Sequence, residues 1–301
     1  MPGIVSLLPS ATEWVYALGL QDELRAVTFE CDEPETARTD HQVVVHGLDT
    51  VGLAPSQIDA LVKERVAAGA SLYRLDERAM SAIGPDVVLT QDLCRVCALP
   101  AGQAEAALEA SGCPGQVVAL DPHTLAEALD GVLDVARACG REEEGQRVRA
   151  ELQERLVRVA AAVAGRTRPR VLVLEWTEPA YLAGHWVPDL VEAAGGTAML
   201  ARPGQPSVGM EWSEIGSAAV DVVLVAPCGF GLDDAVAQAR IVRDRLPSAI
   251  DIWAIDAGGL VTRPGPRLVD GVEALAWALH PTAVPWPAPG RVARLSRADQ
   301  S

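Results

Sequence analysis

Cys94 and Cys97 are separated by two residues, a spacing shared by zinc half-sites, redox pairs and adjacent buried thiols. A tetrahedral site needs further ligands. Cys31 and Cys228 could complete a four-cysteine set, with His185 as a substitute, because each falls in a segment expected at the end of a strand. Such a set would take zinc or an iron–sulfur cluster. Packing is the competing use, since cysteine is among the most frequently buried small residues, and it is the reading for Cys113 and Cys139. His185 lies between Gly184 and Trp186, just before a helix start expected at Pro188. Its ring could face a cleft and ligate a metal, although a lone histidine is more often a hydrogen-bonded structural residue. His41, His46, His123 and His280 show no partner pattern and read as structural.

The aromatic set is skewed, with 7 Trp against 3 Tyr and 2 Phe. Trp176, Trp186 and Trp212 fall in segments that follow expected strands, whereas Trp14, Trp253 and Trp277 lie on amphipathic elements and read as core. Flat indole faces suit a large planar macrocycle held by apolar burial and stacking. Glu30, Asp32, Asp92, Glu175, Glu178 and Glu211 occupy the same kind of loop. They could orient a cationic or amide-bearing ligand or support a metal ligand, and singly each could be a solvated loop charge. No activated group is spelled out: the chain has no Gly-x-Ser-x-Gly elbow, phosphate-binding loop, dinucleotide glycine pattern or His-Glu-x-x-His.

These residues are carried by an alternation of short β-type runs and helix-period stretches, the pattern of an α/β protein with mainly parallel sheets. Ile4 to Leu8 reads as a strand, and Ser10-Ala11-Thr12-Glu13 as a capping box opening a helix that stops at Gly19. Further strands are expected at 24–28, 87–89, 117–120, 171–174, 222–225 and 252–255, with helices near 55–68, 76–83, 188–194, 233–245 and 268–279. Ligands of such sheets sit outside the carboxyl ends of the strands. Asp86-Val87-Val88-Leu89 and Asp221-Val222-Val223-Leu224 form a weak internal repeat, each followed by a cysteine, Cys94 and Cys228. That favours two similar lobes. From Thr124 to Ala164 the pattern is helical, and Gln146 to Ala164 has neither Gly nor Pro; a helix there would be about 28 Å long. The expected organisation is an N-terminal α/β lobe over 1–122, a bridging helix over 123–165, a C-terminal α/β lobe over 166–281 and a loosely held Pro/Arg-rich tail over 282–301.

Length and composition agree. The chain has 301 residues, 49% hydrophobic and 22% charged, enough for two packed lobes. Its formal net charge of −16 repels nucleic acid and anionic lipid. No apolar run reaches the roughly 18–20 residues of a membrane span, so direct membrane insertion is not expected. The opening Met1-Pro2-Gly3-Ile4-Val5 lacks the basic and apolar regions of a signal peptide, and 6 cysteines suit thiols in a reducing compartment. Both lead to the expectation of a cytoplasmic protein.

The opening segment Val5-Ser6-Leu7-Leu8-Pro9-Ser10-Ala11-Thr12-Glu13 resembles that of the class III periplasmic binding proteins, and the fit extends to about residue 280. The segments Glu30-Cys31-Asp32, Ser71-Leu72-Tyr73-Arg74-Leu75-Asp76, Thr90 to Cys97, Gly184-His185-Trp186-Val187-Pro188 and Pro227-Cys228-Gly229-Phe230 are similar to those of a branch described as cobalamin-binding, akin to the binding component of a vitamin B12 ABC importer. The resemblance implies two α/β lobes bridged by one long helix, with a ligand held in the cleft between them. It implies cobalamin or a related corrinoid or tetrapyrrole as ligand. Ser10, Glu30, Asp32, Tyr73, Gln91, Asp92, Glu175, Trp176, His185, Trp186, Glu211, Trp212, Gly229 and Phe230 are the expected ligand-binding residues, with His185 or Cys228 available to the ligand's metal. In the importer relatives one surface Glu on each lobe docks a membrane permease; the opening residues point here to intracellular ligand handling and leave that partner open. Two alternatives stand beside this reading. One is a thiolate metal protein built on Cys31, Cys94, Cys97 and Cys228. The other is an enzyme using the same cleft, with Cys31 or Cys94 as nucleophile and His185 as base.

Overall fold

A computed structural model describes residues 2–93, 98–285 and 288–295. Cys94 and Cys97 therefore lie outside the described residues. The chain divides into two compact units, residues 1–122 with 128–151, and residues 123–127 with 152–301.

The first unit is built on a six-stranded sheet of β1 (Ile4–Ser6), β2 (Leu24–Thr28), β3 (Gln42–His46), β4 (Arg74–Leu75), β5 (Val87–Thr90) and β6 (Gln116–Ala119), ordered β4-β3-β2-β1-β5-β6. All pairings are parallel except β3 with the short edge strand β4. Strands β1 and β5 are buried along their whole length, as expected of parallel strands covered on both faces. Helices α1 (Pro9–Ala17), α2 (Ala37–Asp40), α3 (Pro55–Ala67), α4 (Glu77–Ile83) and α5 (Ala101–Ser111) connect them. Val5, Leu7, Ala26, Val44, Val45, Met80, Val88, Leu99 and Leu108 form one core on the sheet, with Cys113 packed against it. Trp14 is fully buried.

The start of α1 differs from expectation. Pro9 supplies the first helical residue, the cap position is Leu8 with no side-chain cap, and Ser10 lies inside the first turn. A proline has no N–H to satisfy and its ring presets the helical φ, so the helix begins one residue before the expected serine cap. Gly19, with φ +70°, ends it as expected.

Residues 123–165, expected as one bridging helix, hold two: α6 (Leu125–Ala138) and α7 (Glu142–Val163). The break falls at Gly140, whose φ is +65°. A left-handed residue ends a helix, and the Arg141 N–H turns back to the Ala136 carbonyl at 2.8 Å. Gly145 then lets the two helices close, since a Cβ there would meet the Ala136 Cβ at 2.5 Å. The chain passes from one unit to the other within these helices.

The second unit carries a seven-stranded sheet: β7 (Arg170–Thr177), β8 (Ala180–Leu182), β9 (Thr197–Ala198), β10 (Val208–Gly209), β11 (Val222–Val225), β12 (Asp251–Ile255) and β13 (Val292–Arg294). Its order is β10-β8-β7-β11-β12-β13, with β9 also paired to β7. The centre β7-β11-β12 is parallel, and β8, β10 and β13 add antiparallel edges. Helices α8 (Val187–Ala193), α9 (Trp212–Ser217), α10 (Leu232–Arg245), α11 (Ala257–Leu260) and α12 (Leu268–Leu279) complete it. The tail expected to be loose over 282–301 thus contributes a strand. Arg294 anchors it by binding both carboxylate oxygens of Asp251 at 2.7 Å.

The internal repeat has a physical basis. Asp86 accepts the Gly3 N–H at 2.7 Å and Asp221 accepts the Arg170 N–H at 2.8 Å. In each unit an aspartate just before an inner strand satisfies the amide at the start of its neighbour. Paired also with the Arg170 guanidinium, Asp221 has its carboxyl pKa lowered to about 2.

Candidate functional site

In the first unit the strand order reverses at β1, with β2 on one side and β5 on the other, which leaves a crevice at their carboxyl ends. The residues there are mostly buried and polar. The Thr12 hydroxyl donates to Ser6 Oγ at 2.9 Å and lies 3.0 Å from Cys31 Sγ. Cys31 is fully buried. The Ser10 and Thr28 hydroxyls are buried and have no hydrogen-bond partner among the described residues. Gln91 is buried, while Asp92 is exposed and accepts the Ala101 N–H at the start of α5 at 2.8 Å. Asp92, expected as a ligand contact, thereby positions a helix. Asp121, which the sequence did not single out, accepts the Leu93 N–H at 2.8 Å and holds this loop from the far side. Half-buried Tyr73 sits against Phe29 with ring centroids 6.5 Å apart, Glu30 is half-buried and Asp32 exposed.

In the second unit the reversal falls at β7, flanked by β8 and β11. Past the end of β11, the Cys228 N–H donates to the Glu175 carbonyl of β7 at 3.0 Å, which ties the loop after β11 to its neighbouring strand. Trp176 and Phe230, both half-buried, face each other with centroids 5.7 Å apart. The Trp176 indole N–H donates to the Glu178 carbonyl at 3.1 Å, which fixes the ring orientation. Gly229 is exposed with φ +80° and makes the turn into Phe230.

The same unit carries the Gly184-His185-Trp186 turn, which follows β8. A Cβ on Gly184 would lie 2.3 Å from the Gln205 carbonyl oxygen, so only glycine admits the loop that crosses it. That loop is tied on by the His185 N–H to the Gln205 carbonyl at 2.7 Å and the Gly204 N–H to the His185 carbonyl at 3.0 Å. Ser207 Oγ donates to the Glu175 carboxylate. His185 is held at φ +48°, a region that non-glycine residues seldom adopt. Its Nδ1 is buried and has no hydrogen-bond partner among the described residues. Burial and the neighbouring His123 lower its pKa, so the ring is neutral at pH 7.

His123, read from the sequence as a bland residue, has its ring centroid 6.2 Å from that of His185 and its Nδ1 3.2 Å from the Gly204 carbonyl oxygen. Its backbone is set by Glu127, which accepts the His123 and Thr124 N–H groups at 2.7 and 3.1 Å. Asp189, on α8, accepts the Leu125 N–H at 3.0 Å. The Thr124-x-x-Glu127 capping pattern was a readable signal for this helix start; the approach to His185 across 62 residues was not.

Two expected contacts are engaged within their own unit. Trp186 is 5% exposed and its indole N–H donates to the Val261 carbonyl at 2.8 Å, so it anchors α11 instead of offering a face. Trp212 packs on the core of its unit, with the Arg245 guanidinium 5.2 Å from its ring centroid. Arg245 in turn pairs with Glu178 at 3.0 Å. Glu211, exposed at the start of α9, donates its backbone N–H to the Glu214 carboxylate at 3.4 Å. Cys228 is exposed, and among the described residues no group of three or more His, Cys, Asp or Glu side chains could hold a metal ion. The expected zinc or iron–sulfur site thus has no support in the described residues, where Cys31 is occupied in packing against Thr12. Cys139 is likewise a packing thiol, its pKa raised to about 11 by burial.

The family described as periplasmic binding protein matches residues 4–251. The chain belongs to this family. Its fold is that of the class III substrate-binding proteins, and solved structures agree at full length. The periplasmic vitamin B12 binding protein BtuF of Vibrio cholerae is 21% identical with a TM-score of 0.66, covering 92% of this chain and 95% of its own. A periplasmic heme binding protein from Pseudomonas aeruginosa is 20% identical with a TM-score of 0.72, covering 98% and 99%. The periplasmic heme-binding protein RhuT from Roseiflexus sp. RS-1 is 20% identical with a TM-score of 0.67, covering 94% and 99%. At these identities the likeness carries the fold alone. No curated protein sequence matches the chain. No helix among the described residues is long and apolar enough to cross a membrane.

Proposed function

We propose that this substrate-binding protein takes a metal-bearing tetrapyrrole, a corrinoid or a haem. The observation that carries the reading is the half-buried Trp176–Phe230 ring pair at the carboxyl ends of β7 and β11, on the unit that also holds the neutral His185 imidazole. Aromatic faces hold a flat macrocycle by burial and stacking, and a neutral imidazole is the residue type suited to a cobalt or iron centre. The similar solved structures that bind vitamin B12 and haem support the same ligand class. Cobalamin is the corrinoid we favour testing first, given the branch motifs at Gly184 to Pro188 and Pro227 to Phe230.

In this reading Trp176 and Phe230 supply most of the binding free energy. His185 contributes discrimination between metal-bearing and metal-free rings. The test is an absorption titration with hydroxocobalamin, hemin and metal-free protoporphyrin. Saturable one-to-one binding of a metal-bearing ring, weakened about tenfold or more by Trp176→Ala, is expected. Equal affinity for metal-free protoporphyrin would remove His185 from the site, and no saturable binding of any of the three would overturn the proposal.

A further inference from the structure

Strand β13 lies at the edge of the second unit's sheet, and its ladder with β12 runs Trp253 to Arg294, Ala254 to Ala293 and Ile255 to Val292. Backbone bonds close both ends: the Leu295 N–H donates to the Ile252 carbonyl and the Asp256 N–H to the Arg291 carbonyl, each at 3.0 Å. Arg294 clamps Asp251 and lies 5.9 Å from the Trp253 ring centroid. The Asp256 bond has the wider consequence, because Asp256 is the residue by which the chain leaves β12 and enters α11.

Two segments of the proposed ligand site are bonded to α11. The Gly258 N–H donates to the Phe230 carbonyl at 3.1 Å, and the Val261 carbonyl accepts the Trp186 indole at 2.8 Å, one residue from His185. A short helix of four residues has little stability of its own, so its position is set by its burial, by the close approach of Gly271 on α12 to the Leu260 carbonyl and by such backbone bonds.

The geometry points to β13 as a latch that positions the tetrapyrrole-facing residues of the second unit, acting through Asp256 and α11 on Phe230 and His185. This inference rests on the ligand reading above for what is positioned, but the latch itself can be measured without ligand.

The register provides the test. In an antiparallel ladder hydrogen-bonded and non-hydrogen-bonded pairs alternate. With Ile252/Leu295 and Asp256/Arg291 bonded, Ala254/Ala293 is a bonded pair and the Val292 N–H turns away from β12. Proline is tolerated where the missing N–H faces outward from an edge strand and disrupts pairing where it does not. Ala293→Pro should therefore release the latch, while its neighbour Val292→Pro should leave it closed. Hydrogen-exchange mass spectrometry of the full chain reads α11 directly, and hemin and hydroxocobalamin titrations read the site.

Ala293→Pro is expected to speed exchange over residues 256–262 by about tenfold and to weaken binding by a similar factor, chiefly through faster dissociation. Val292→Pro should match the unsubstituted chain in both. Arg294→Ala, which removes the Asp251 clamp and leaves the ladder amides intact, should act in the same direction as Ala293→Pro but more weakly, and it serves if that variant does not fold. Unchanged exchange over 256–262 in both Ala293→Pro and Arg294→Ala would overturn the latch, as would equal loosening by Val292→Pro. A chain that binds neither hemin nor hydroxocobalamin overturns the ligand reading, while the exchange comparison still decides the latch.

Discussion

Adding one methyl group at Gly184 should cost more than any other single-carbon change at the proposed site. The new Cβ of Gly184→Ala would stand 2.3 Å from the Gln205 oxygen, 2.6 Å from the Ser207 nitrogen and 2.7 Å from the Pro206 carbonyl carbon. All three are backbone atoms, so no side chain can swing aside, and ordinary contact begins near 3.4 Å. The crossing loop must retreat by about 1 Å, an overpacking cost of roughly 1–3 kcal/mol. The same retreat stretches the 2.7 Å bond from the His185 N–H to the Gln205 carbonyl, and losing it adds about 1 kcal/mol. We expect a total of roughly 2–4 kcal/mol in urea unfolding followed by tryptophan fluorescence, together with weakened tetrapyrrole binding. Gly229→Ala is the control. Its backbone is left-handed, at φ +80°, but nothing stands within 4 Å of the added atom, so only the conformational cost of about 1–2 kcal/mol applies. A Gly184→Ala variant within about 0.5 kcal/mol of the unsubstituted chain, or one less harmful than Gly229→Ala, would refute the steric account of this turn.

Three further predictions concern other parts of the account. Phe230→Ala should weaken tetrapyrrole binding about tenfold with little loss of stability, because its half-buried ring meets that of Trp176 alone among the described aromatic residues; a titration with hemin and hydroxocobalamin checks it. His185 binds its proton less readily folded than unfolded, so it withdraws stability as pH falls below the ordinary histidine value of about 6.5. His185→Asn, which keeps a residue tolerant of positive φ, should flatten the fall in unfolding free energy between about pH 7 and 5, and His41, also lowered by burial, should sustain the remainder. The Asp221 carboxyl works in the opposite sense: its lowered pKa of about 2 adds stability above the ordinary carboxylate range that disappears as pH falls through about 2. Asp221→Asn should therefore be destabilising at pH 7 and nearly neutral near pH 2, as measured by urea midpoints.

The elements most legible in the sequence were those whose burial is complete. Val87-Val88-Leu89, Val222 to Val225 and Ile252 to Ile255 are continuous apolar runs because both faces of their sheets are covered, and the helices between them begin and end at Pro, Asp and Gly. The short strands β4, β8, β9, β10 and β13 carry no such run, being two or three residues long, and all but β8, which forms a hairpin with β7, are specified by partners far along the chain. The break between α6 and α7 was written in Cys139-Gly140-Arg141, a left-handed glycine inside a helical pattern. At the site, His185, Gly229 and Phe230 were readable as residues that follow strands, whereas Trp176, expected just past its strand, lies within β7 because that strand runs on to Thr177 and pairs with β8. Residue type alone could not tell which indole would turn inward: Trp186 is buried by its bond to Val261, a partner 75 positions away. His123 was missed for the same reason, since its relation to His185 exists only in the fold.

The central claim is that this chain binds a metal-bearing tetrapyrrole through the His185 and Trp176–Phe230 surface. Native mass spectrometry of the purified chain with hydroxocobalamin and with hemin tests it most directly. The account predicts a one-to-one adduct with at least one of them, lost in a Trp176→Ala, Phe230→Ala double variant that stays folded. Absence of any adduct, or an adduct unaffected by that double variant, would contradict it.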